Sequence, residues 1–341
     1  MKPFFSVLDF RTSHVAALIA RRAKDSRIEI LGAGEAPAEG WSNGELSHLG
    51  DAVESVVQAR KNAERSAGVE MKSVYYNFED PHAQTVTSAG AVHLKGEGEI
   101  QRSDVDDACN LACRLAGRFE KNIVYSKELS FLIDDKDAVA NPIGVFGRKL
   151  DVRVFIVQAR SEYCQAVENL IKRCQFDRAT SVLSVLSVAR GVVPAEDSAK
   201  IRWIADMGRH WTNIFTYGRG GVLDLKIFHA KDTRLPSHNE AWQAVFHDFA
   251  AKHGPAKELL LTGEHAAETK AAEHLKEFLT IPVRQAAPQN VERLSEPQYA
   301  ALAGLLSTAE ESEKRRRKGA RQAGLLLNVK EKAQSFISEY F

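Results

Sequence analysis

The stretch KIRWIADMGRHWTNIFTYGRGGVLDLKIFHA (200–230) repeats in pattern the opening of the chain. It holds three runs of apolar and β-branched residues separated by short polar breaks, which is typical of a three-stranded meander. The opening holds three similar runs, FFSVLDF (4–10), HVAALIARR (14–22) and RIEILGAG (27–34). In each set the first run carries an aspartate near its end, Asp9 in the opening and Asp206 197 positions later. The pattern predicts a mixed α/β protein with an internal duplication; two unrelated α/β domains with similar strand signals are the alternative.

Each meander is followed by helical and strand-like segments. After the first, a helical stripe from Leu46 ends at Gly68, and a strand follows at 73–78. After the second, the pattern predicts helices at 240–252, 266–279 and 297–309, and strands at 258–263 and around Val283. Each half is therefore expected to be a sheet with helices packed on it.

The segment between the two halves has a pattern of its own. Ser103 is in position to cap a helix, and a strand-like run follows at 123–134. In KLDVRVFIVQA (149–159) apolar residues alternate with polar ones, which predicts a strand with one face buried by Leu150, Val152, Val154 and Ile156. A helix at 161–173 and an apolar, deeply packed run at 180–193 lead into the second half.

Composition and charge restrict the kind of protein. The chain has 341 residues, which is two domains at roughly 150 residues each. Lys and Arg number 46 against 45 Asp and Glu, and this balance argues against a nucleic-acid-coated protein. Four cysteines exclude a disulfide-stapled scaffold. No apolar run reaches the ~20 residues of a spanning helix, so we expect a soluble cytoplasmic body.

Several segments, in order, resemble the FtsA family of actin-like bacterial cell division proteins. The clearest is NPIGVFGRKLDVRVFIVQA (141–159), where the family has a similar Asn-Pro-Ile-Gly strand entry. Four other segments resemble the first phosphate loop, the second phosphate loop, the adenosine loop and the end of the globular body: LDFRTSHVAALIA (8–20), IADMGRHWTNIFTY (204–217), LLLTGEHA (259–266) and ALAGLLSTAEE (301–311). The resemblance implies an α/β, actin-like (ribonuclease H-like, duplicated) two-lobe fold with an inserted FtsA-type subdomain of the SHS2 type.

The resemblance also implies how the chain is divided. Subdomain 1A would comprise 1–80 and 160–197, the inserted interaction subdomain 81–159, and subdomain 2A 198–310, followed by a basic linker at 311–324 and an amphipathic helix at 325–341. FtsA proteins place a further subdomain, 2B, before the adenosine loop, and here only about residues 231–257 are available for it. In the family 2B binds the FtsZ tail, so the short interval leaves a direct FtsZ contact open.

A candidate nucleotide pocket follows from the same resemblance. The family's loops would place seven residues around a nucleotide: Asp9, Thr12, Ser13, Asp206, Gly208, Thr212 and Gly263. Phosphate loops need glycines because their backbone approaches the phosphate oxygens closely. Here Arg11 replaces a glycine of the first loop, Trp211 a hydroxyl of the second, and Glu264 a glycine of the adenosine loop. We therefore expect a degenerate pocket with no catalytic residue, no metal site and no cofactor.

Two alternatives to the degenerate pocket stay open. In the first, the chain binds ATP and Mg²⁺ through substitute contacts from Arg11, Arg209 and His210. In the second, it is an active, polymerising ATPase of the same fold. We expect the losses in all three loops to outweigh added positive charge, because charge cannot restore the space that a glycine leaves.

The end of the chain predicts contact with a membrane. Basic residues come first, and an apolar stripe at helical spacing follows. The residues expected to touch lipid are Arg315, Arg316, Arg317, Lys318, Leu325, Leu326, Val329, Phe336, Ile337, Tyr340 and Phe341. Such a helix lies in the headgroup layer of an anionic bilayer, and FtsA proteins end in a similar helix. The alternative is a helix that docks on its own body or on a partner.

The resemblance implies a function in cell division. The chain would be a membrane-associated adaptor at the septum, on the cytoplasmic face of the inner membrane. Its implied partners are FtsZ, later division proteins, further copies of itself in filaments, and anionic lipids, with no nucleic acid. A scaffold of pilus or secretion machinery, resembling PilM, is the other candidate of this fold.

Overall fold

The computed structural model describes residues 4–10, 13–23, 27–136, 138–229, 239–266, 271–277, 279–288, 291 and 293–316. The strands are β1 (Phe4–Phe10), β2 (His14–Arg22), β3 (Ile28–Pro37), β4 (Trp41–Ser42), β5 (Glu45–Leu46), β6 (Ser73–Phe78), β7 (Gln84–Glu99), β8 (Lys121–Ile133), β9 (Phe146–Arg160), β10 (Arg178–Leu183), β11 (Arg202–Met207), β12 (Trp211–Gly218), β13 (Gly221–His229), β14 (Leu259–Thr262) and β15 (Val283–Gln285). The helices are α1 (Leu49–Ala67), α2 (Arg102–Ala116), α3 (Ser161–Arg173), α4 (Ser184–Val192), α5 (Asn239–His253), α6 (Ala271–Lys276) and α7 (300–316).

Two sheets with the same topology form two lobes. In the first, β1, β2 and β3 make an antiparallel meander, and β6 and β10 add in parallel beside β1. In the second, β11, β12 and β13 make the meander, and β14 and β15 add in parallel beside β11. Asp9 and Asp206 are each the second-to-last residue of the first strand in their sheet. The predicted duplication is therefore confirmed as an actin-like α/β fold with two lobes.

The inserted subdomain is a three-stranded antiparallel sheet, β7-β9-β8, with α2 packed on one face. The predicted buried face of β9 is confirmed, because Leu150, Val152, Val154 and Ile156 are buried in one cluster with α2. The other face, with Phe155 and Val157, joins a core that reaches into the second lobe. Because side chains alternate along a strand, one strand serves both cores.

The start of α2 differs from the prediction of a cap at Ser103. The helix begins at Arg102, and Gln101 is its cap residue. The carboxylate of Asp104 accepts a hydrogen bond from the Gln101 backbone N–H at 2.8 Å. This hydrogen bond stabilises an earlier first turn, in which Ser103 is already helical.

The inserted subdomain touches the second lobe as well as the first. The Tyr125 hydroxyl of β8 accepts a hydrogen bond from the backbone N–H of Val222 at 2.8 Å. Arg219, in the turn between β12 and β13, donates to the Leu129 carbonyl at 2.6 Å. The insert therefore lies against both lobes.

A single helix, α5, follows β13 where the resemblance left room for a reduced 2B. Its buried side chains Trp242, Phe246 and Phe249 pack with Trp203 of β11, and the Trp203 and Phe246 rings stack at 4.9 Å. The helix covers one face of the second sheet, and its aromatic side chains supply the apolar surface that is buried there. Residues 230–238 lie outside the described residues.

Candidate functional site

A cleft between the lobes brings the predicted loops together. Its volume is about 1050 Å³, including its open mouth. The residues that line it include Asp9, Asp206, Gly208 and Gly263 from the predicted pocket. They meet because Asp9 and Asp206 stand at the carboxyl ends of the central strands β1 and β11, and ligand sites of α/β folds form outside those ends.

The first loop contributes a buried carboxylate. Asp9 is 5% exposed, and its Oδ1 accepts a hydrogen bond from Asn77 Nδ2 at 2.9 Å. Ser13 is exposed, lies 2.9 Å from the ring of His14 (Oγ to Nδ1), and does not line the cleft. Thr12 and Arg11 lie outside the described residues. Two residues predicted to bind the nucleotide are described in this loop, Asp9 and Ser13, and Asp9 is the one that faces the cleft.

The second loop is closed by its own backbone. The N–H of Gly208 donates to the Trp211 carbonyl at 3.0 Å. Thr212, predicted in the pocket, is buried in the sheet and does not line the cleft. Its neighbours Trp211 and Asn213 reach the first lobe instead, because alternate residues of a strand point to opposite faces.

Glu79, directly after β6, is the hydrogen-bond acceptor for both of these side chains. Its Oε1 accepts hydrogen bonds from Trp211 Nε1 and Asn213 Nδ2, each at 2.5 Å. Burial among protein atoms raises the pKa of the Glu79 carboxyl, and the charge of Asp9 acts in the same direction, while the two donors oppose them. Sequence analysis missed Glu79, although its place after a strand parallel to β1 was a usable signal.

The adenosine loop packs directly on the second phosphate loop. Gly263 has φ +94°, and a Cβ there would lie 2.7 Å from both Asp206 Oδ1 and the Met207 backbone N. Glu264, at the next position, lies 3.7 Å from Arg209 (Oε2 to Nε). The Arg209 guanidinium therefore faces the Glu264 carboxylate. Gly263 leaves the space that allows the adenosine loop to pack on Asp206 and Met207.

The described residues offer little positive charge to a bound triphosphate. The lining has the acidic side chains of Asp9, Glu79, Asp206 and Glu264 against Arg209 and His210, and Arg209 already faces Glu264. The Trp211 ring also takes up space in the cleft, where its indole N–H is bonded to Glu79. Across the described part of the chain, no group of three or more His, Cys, Asp or Glu side chains is arranged to hold a metal ion.

The predicted lipid-contacting region is described only at its start. Arg315 and Arg316 lie in α7, which runs through 316 and so includes the first residues of the segment predicted as a linker. Arg315 pairs with Glu311 at 2.5 Å and Arg316 with Glu313 at 2.8 Å, one turn earlier on the same helix. These pairs explain the added turns, since opposite charges at this spacing stabilise a helix.

The other predicted lipid contacts, Arg317, Lys318, Leu325, Leu326, Val329, Phe336, Ile337, Tyr340 and Phe341, lie outside the described residues. Among the helices that the structure describes, none is both long enough and apolar enough to cross a bilayer.

Comparison with known proteins matches the inserted subdomain to a family. Residues 81–158 match the model of the SHS2 domain inserted in FtsA. This range begins at the predicted start of the insert, and it covers β7, α2, β8 and most of β9. The residues that match the family model are therefore those that form the separate three-stranded subdomain.

Curated relatives extend the similarity beyond the insert. The cell division protein FtsA of Neisseria meningitidis is 29% identical over 227 residues, which is 67% of this chain and 55% of that protein. FtsA of Pseudomonas aeruginosa is 24% identical and FtsA of Escherichia coli K12 is 23% identical, each over 64% of this chain and 52% of that protein. The chain is thus FtsA-like, and it spans about half the length of the curated relatives it matches.

Among solved structures, a chain of the PilM-PilN type IV pilus biogenesis complex is similar in fold. It aligns with a TM-score of 0.63 at 11% identity, over 90% of this chain and 98% of that chain. At this identity the likeness concerns the fold alone, and it agrees with the actin-like two-lobe architecture.

Proposed function

We propose that this FtsA-like chain is a membrane-associated adaptor of bacterial cell division. It links division filaments and later division proteins to the cytoplasmic face of the inner membrane, and it needs no nucleotide hydrolysis to do so. The observation that carries the proposal is the FtsA-type insert at 81–158, held between two actin-like lobes. The poor fit of the interlobe cleft to a triphosphate supports a role in binding and assembly.

The inserted subdomain supplies a surface suited to protein partners. In the described ranges, the large apolar side chains that are exposed all lie in this subdomain: Leu115, Phe119, Ile123, Ile143, Val145 and Phe146. They form two groups, one at the end of α2 and the start of β8 and one just before and at the start of β9. Exposed apolar groups of this kind mark protein interaction sites. We propose that later division proteins, or further copies of the chain, bind here.

The terminal segment supplies the membrane contact in this proposal. Lys314, Arg315 and Arg316 are each paired with a glutamate of α7. Arg317, Lys318 and Arg321 follow in the sequence, and in this proposal they add attraction to anionic lipid at ~1 kcal/mol for each basic residue near the surface. Burial of the apolar stripe of 325–341 adds to it. Many such helices on one filament would bind by avidity.

A flotation experiment with vesicles of phosphatidylethanolamine and phosphatidylglycerol tests this contact. We expect the full chain to float and a chain ending at residue 324 to stay in the soluble fraction. Ile337→Ser should weaken binding about tenfold, because a buried Ile side chain contributes roughly 1.5 kcal/mol or more. The control is Ser335→Gln, on the side of the predicted helix opposite the stripe, which should bind as the parent does. Equal flotation of the full and shortened chains would refute the membrane role.

A pilus or secretion scaffold is the second candidate, because a chain of the PilM-PilN complex has a similar fold over 98% of its own length. The position of a fluorescent fusion in cells separates the two. We expect a ring at mid-cell that depends on FtsZ. Foci at pilus sites that persist when FtsZ is depleted would support the scaffold instead, and co-sedimentation with FtsZ would show whether the contact is direct without 2B.

A further inference from the structure

The strongest unexplained feature of the cleft is that its lobes are bonded to each other through one carboxylate. Glu79 belongs to the first lobe, directly after β6, and Trp211 and Asn213 belong to β12 of the second lobe. We propose that Glu79, Trp211 and Asn213 form an interlobe clasp that holds the two lobes together in the place where this fold otherwise binds a nucleotide.

The clasp has the geometry of a direct cross-link. The indole N–H of Trp211 and the amide of Asn213 converge on the same oxygen, Glu79 Oε1, at 2.5 Å each. A carboxyl oxygen has two lone pairs, so this one oxygen can accept both hydrogen bonds. The bonded residues are 132 and 134 positions apart in sequence, so both bonds close a contact between lobes.

The ring of Trp211 adds a second, apolar contact between the lobes. It lies so close to Gly44, in the β4–β5 turn, that a Cβ there would be 2.3 Å from the ring. The turn is itself held in place, because the Trp41 ring stacks on Phe10 at 5.7 Å and Glu45 pairs with Arg160. The tryptophan is therefore seated on a fixed part of the first lobe.

The surroundings of Glu79 favour keeping its partners in place. Its carboxylate lies deep in the cleft, although part of the residue still faces the cleft space. Asp9 lies close enough to act on it with a like charge, and Ser184 of α4 is a further hydrogen-bonding neighbour. A carboxyl group in such a place loses much if its donors leave, because a buried oxygen would then have no hydrogen-bond partner. The closed arrangement is the one that satisfies it.

Amide hydrogen exchange of the full-length chain tests the clasp, because local opening of the cleft accelerates exchange there and leaves the lobe cores unchanged. The readout compares peptides covering 77–79 and 207–213 with peptides from the cores of β2 and β14. We expect Glu79→Ala and Trp211→Ala each to accelerate cleft exchange at least tenfold. The double variant should accelerate exchange by less than the product of the two single effects, since both single variants remove the Trp211–Glu79 hydrogen bond.

Three controls keep the result specific. Glu79→Gln retains an oxygen that accepts both hydrogen bonds, so its cleft should exchange as the parent's does. Trp211→Phe keeps most of the ring and loses only the N–H, so we expect an intermediate acceleration even if Trp211→Ala folds poorly. Trp203→Phe alters a tryptophan of the second lobe whose ring stacks on Phe246 in that lobe's core, and it should leave the cleft closed.

Two results would overturn the clasp. One is parental cleft exchange in both Glu79→Ala and Trp211→Phe, or acceleration that is uniform over both lobes. The other is slower cleft exchange of the parent chain on adding Mg²⁺–ATP, since closure would then depend on nucleotide. Vesicle flotation does not involve these residues, so failure of the clasp and failure of the adaptor role are distinguishable.

Discussion

Replacing Gly304 by alanine is expected to lower the free energy of unfolding by about 3 kcal/mol. A Cβ at this position of α7 would lie 1.7 Å from the carbonyl oxygen of Ser187 and 2.6 Å from the backbone N of Gly191, both in α4. Both neighbours are backbone atoms inside a helix, so no side chain can move aside. The two helices must separate, and the packing around their crossing is lost.

The crossing of α4 and α7 matters because each helix serves the other half of the chain. The apolar residues of α4 pack with Ile204 and Phe215 of the second lobe. Those of α7, including Leu305, pack with Val7 and Leu18 of the first lobe. A forced shift at Gly304 therefore disturbs both cores together.

Urea unfolding, followed by far-ultraviolet circular dichroism, measures this effect. The control is Gly50→Ala in α1, where an added Cβ would lie 3.5 Å from its nearest neighbour, an ordinary contact. A helical alanine without a clash should be neutral or stabilise by up to about 1 kcal/mol. Parental stability of Gly304→Ala would mean that the helices do not touch as described.

Replacing Arg202 by methionine should lower the free energy of unfolding by about 3 kcal/mol at pH 7. Arg202 is 2% exposed, and its guanidinium donates to Glu258 at 2.8 Å and to the Asp197 carboxylate at 2.6 Å. Methionine fills a similar volume but leaves Glu258, itself buried, with the half-exposed Arg284 as its remaining side-chain partner in the described part of the chain. The main loss is the uncompensated burial of a charge.

The effect of Arg202→Met should shrink in acid, and the sign follows from Glu258. Burial raises the pKa of the Glu258 carboxyl, but hydrogen bonds from Arg284 and Arg202 outweigh it and hold that pKa below its usual value. A lowered pKa adds stability above the unfolded-state pKa of about 4.3, and this stability is lost as the pH falls through the folded-state pKa. Parent and variant should therefore differ most near neutrality, and the difference should shrink as the pH falls below the unfolded-state pKa of about 4.3.

Unfolding curves at pH 7 and pH 3.5 measure this difference, with Arg284→Met as the matched variant. Since the Arg284 side chain is half exposed, water compensates for its loss, and we expect a decrease of about 1 kcal/mol or less at pH 7. If Arg202→Met and Arg284→Met destabilise equally, or if the decrease for Arg202→Met is the same at both pH values, the buried network does not contribute as described.

The local sequence patterns predicted most of the helices and strands, but not all of the residues at which they begin or end. The alternation along β9 identified its buried face, because a strand in contact with a core must place every second residue there. The predicted cap of α2, Ser103, lies two residues after the observed cap. The prediction did not take into account the hydrogen bond from the Gln101 backbone N–H to the Asp104 side chain. The three candidate loops were found from motif positions, and Asp9, Asp206, Gly208 and Gly263 do line one cleft.

The amino-acid sequence by itself determined the two meanders, their matching aspartates and the separate character of the insert, because these depend on periodicities within a few residues. Only the tertiary structure decided that Trp211 reaches Glu79 across the cleft, that Thr212 faces away from it, and that Gly304 meets α4. The contact of Trp211 with Glu79 and that of Gly304 with α4 both join residues more than a hundred positions apart. Their geometry is set by how two sheets and two crossing helices pack, and no short stretch of sequence encodes that packing.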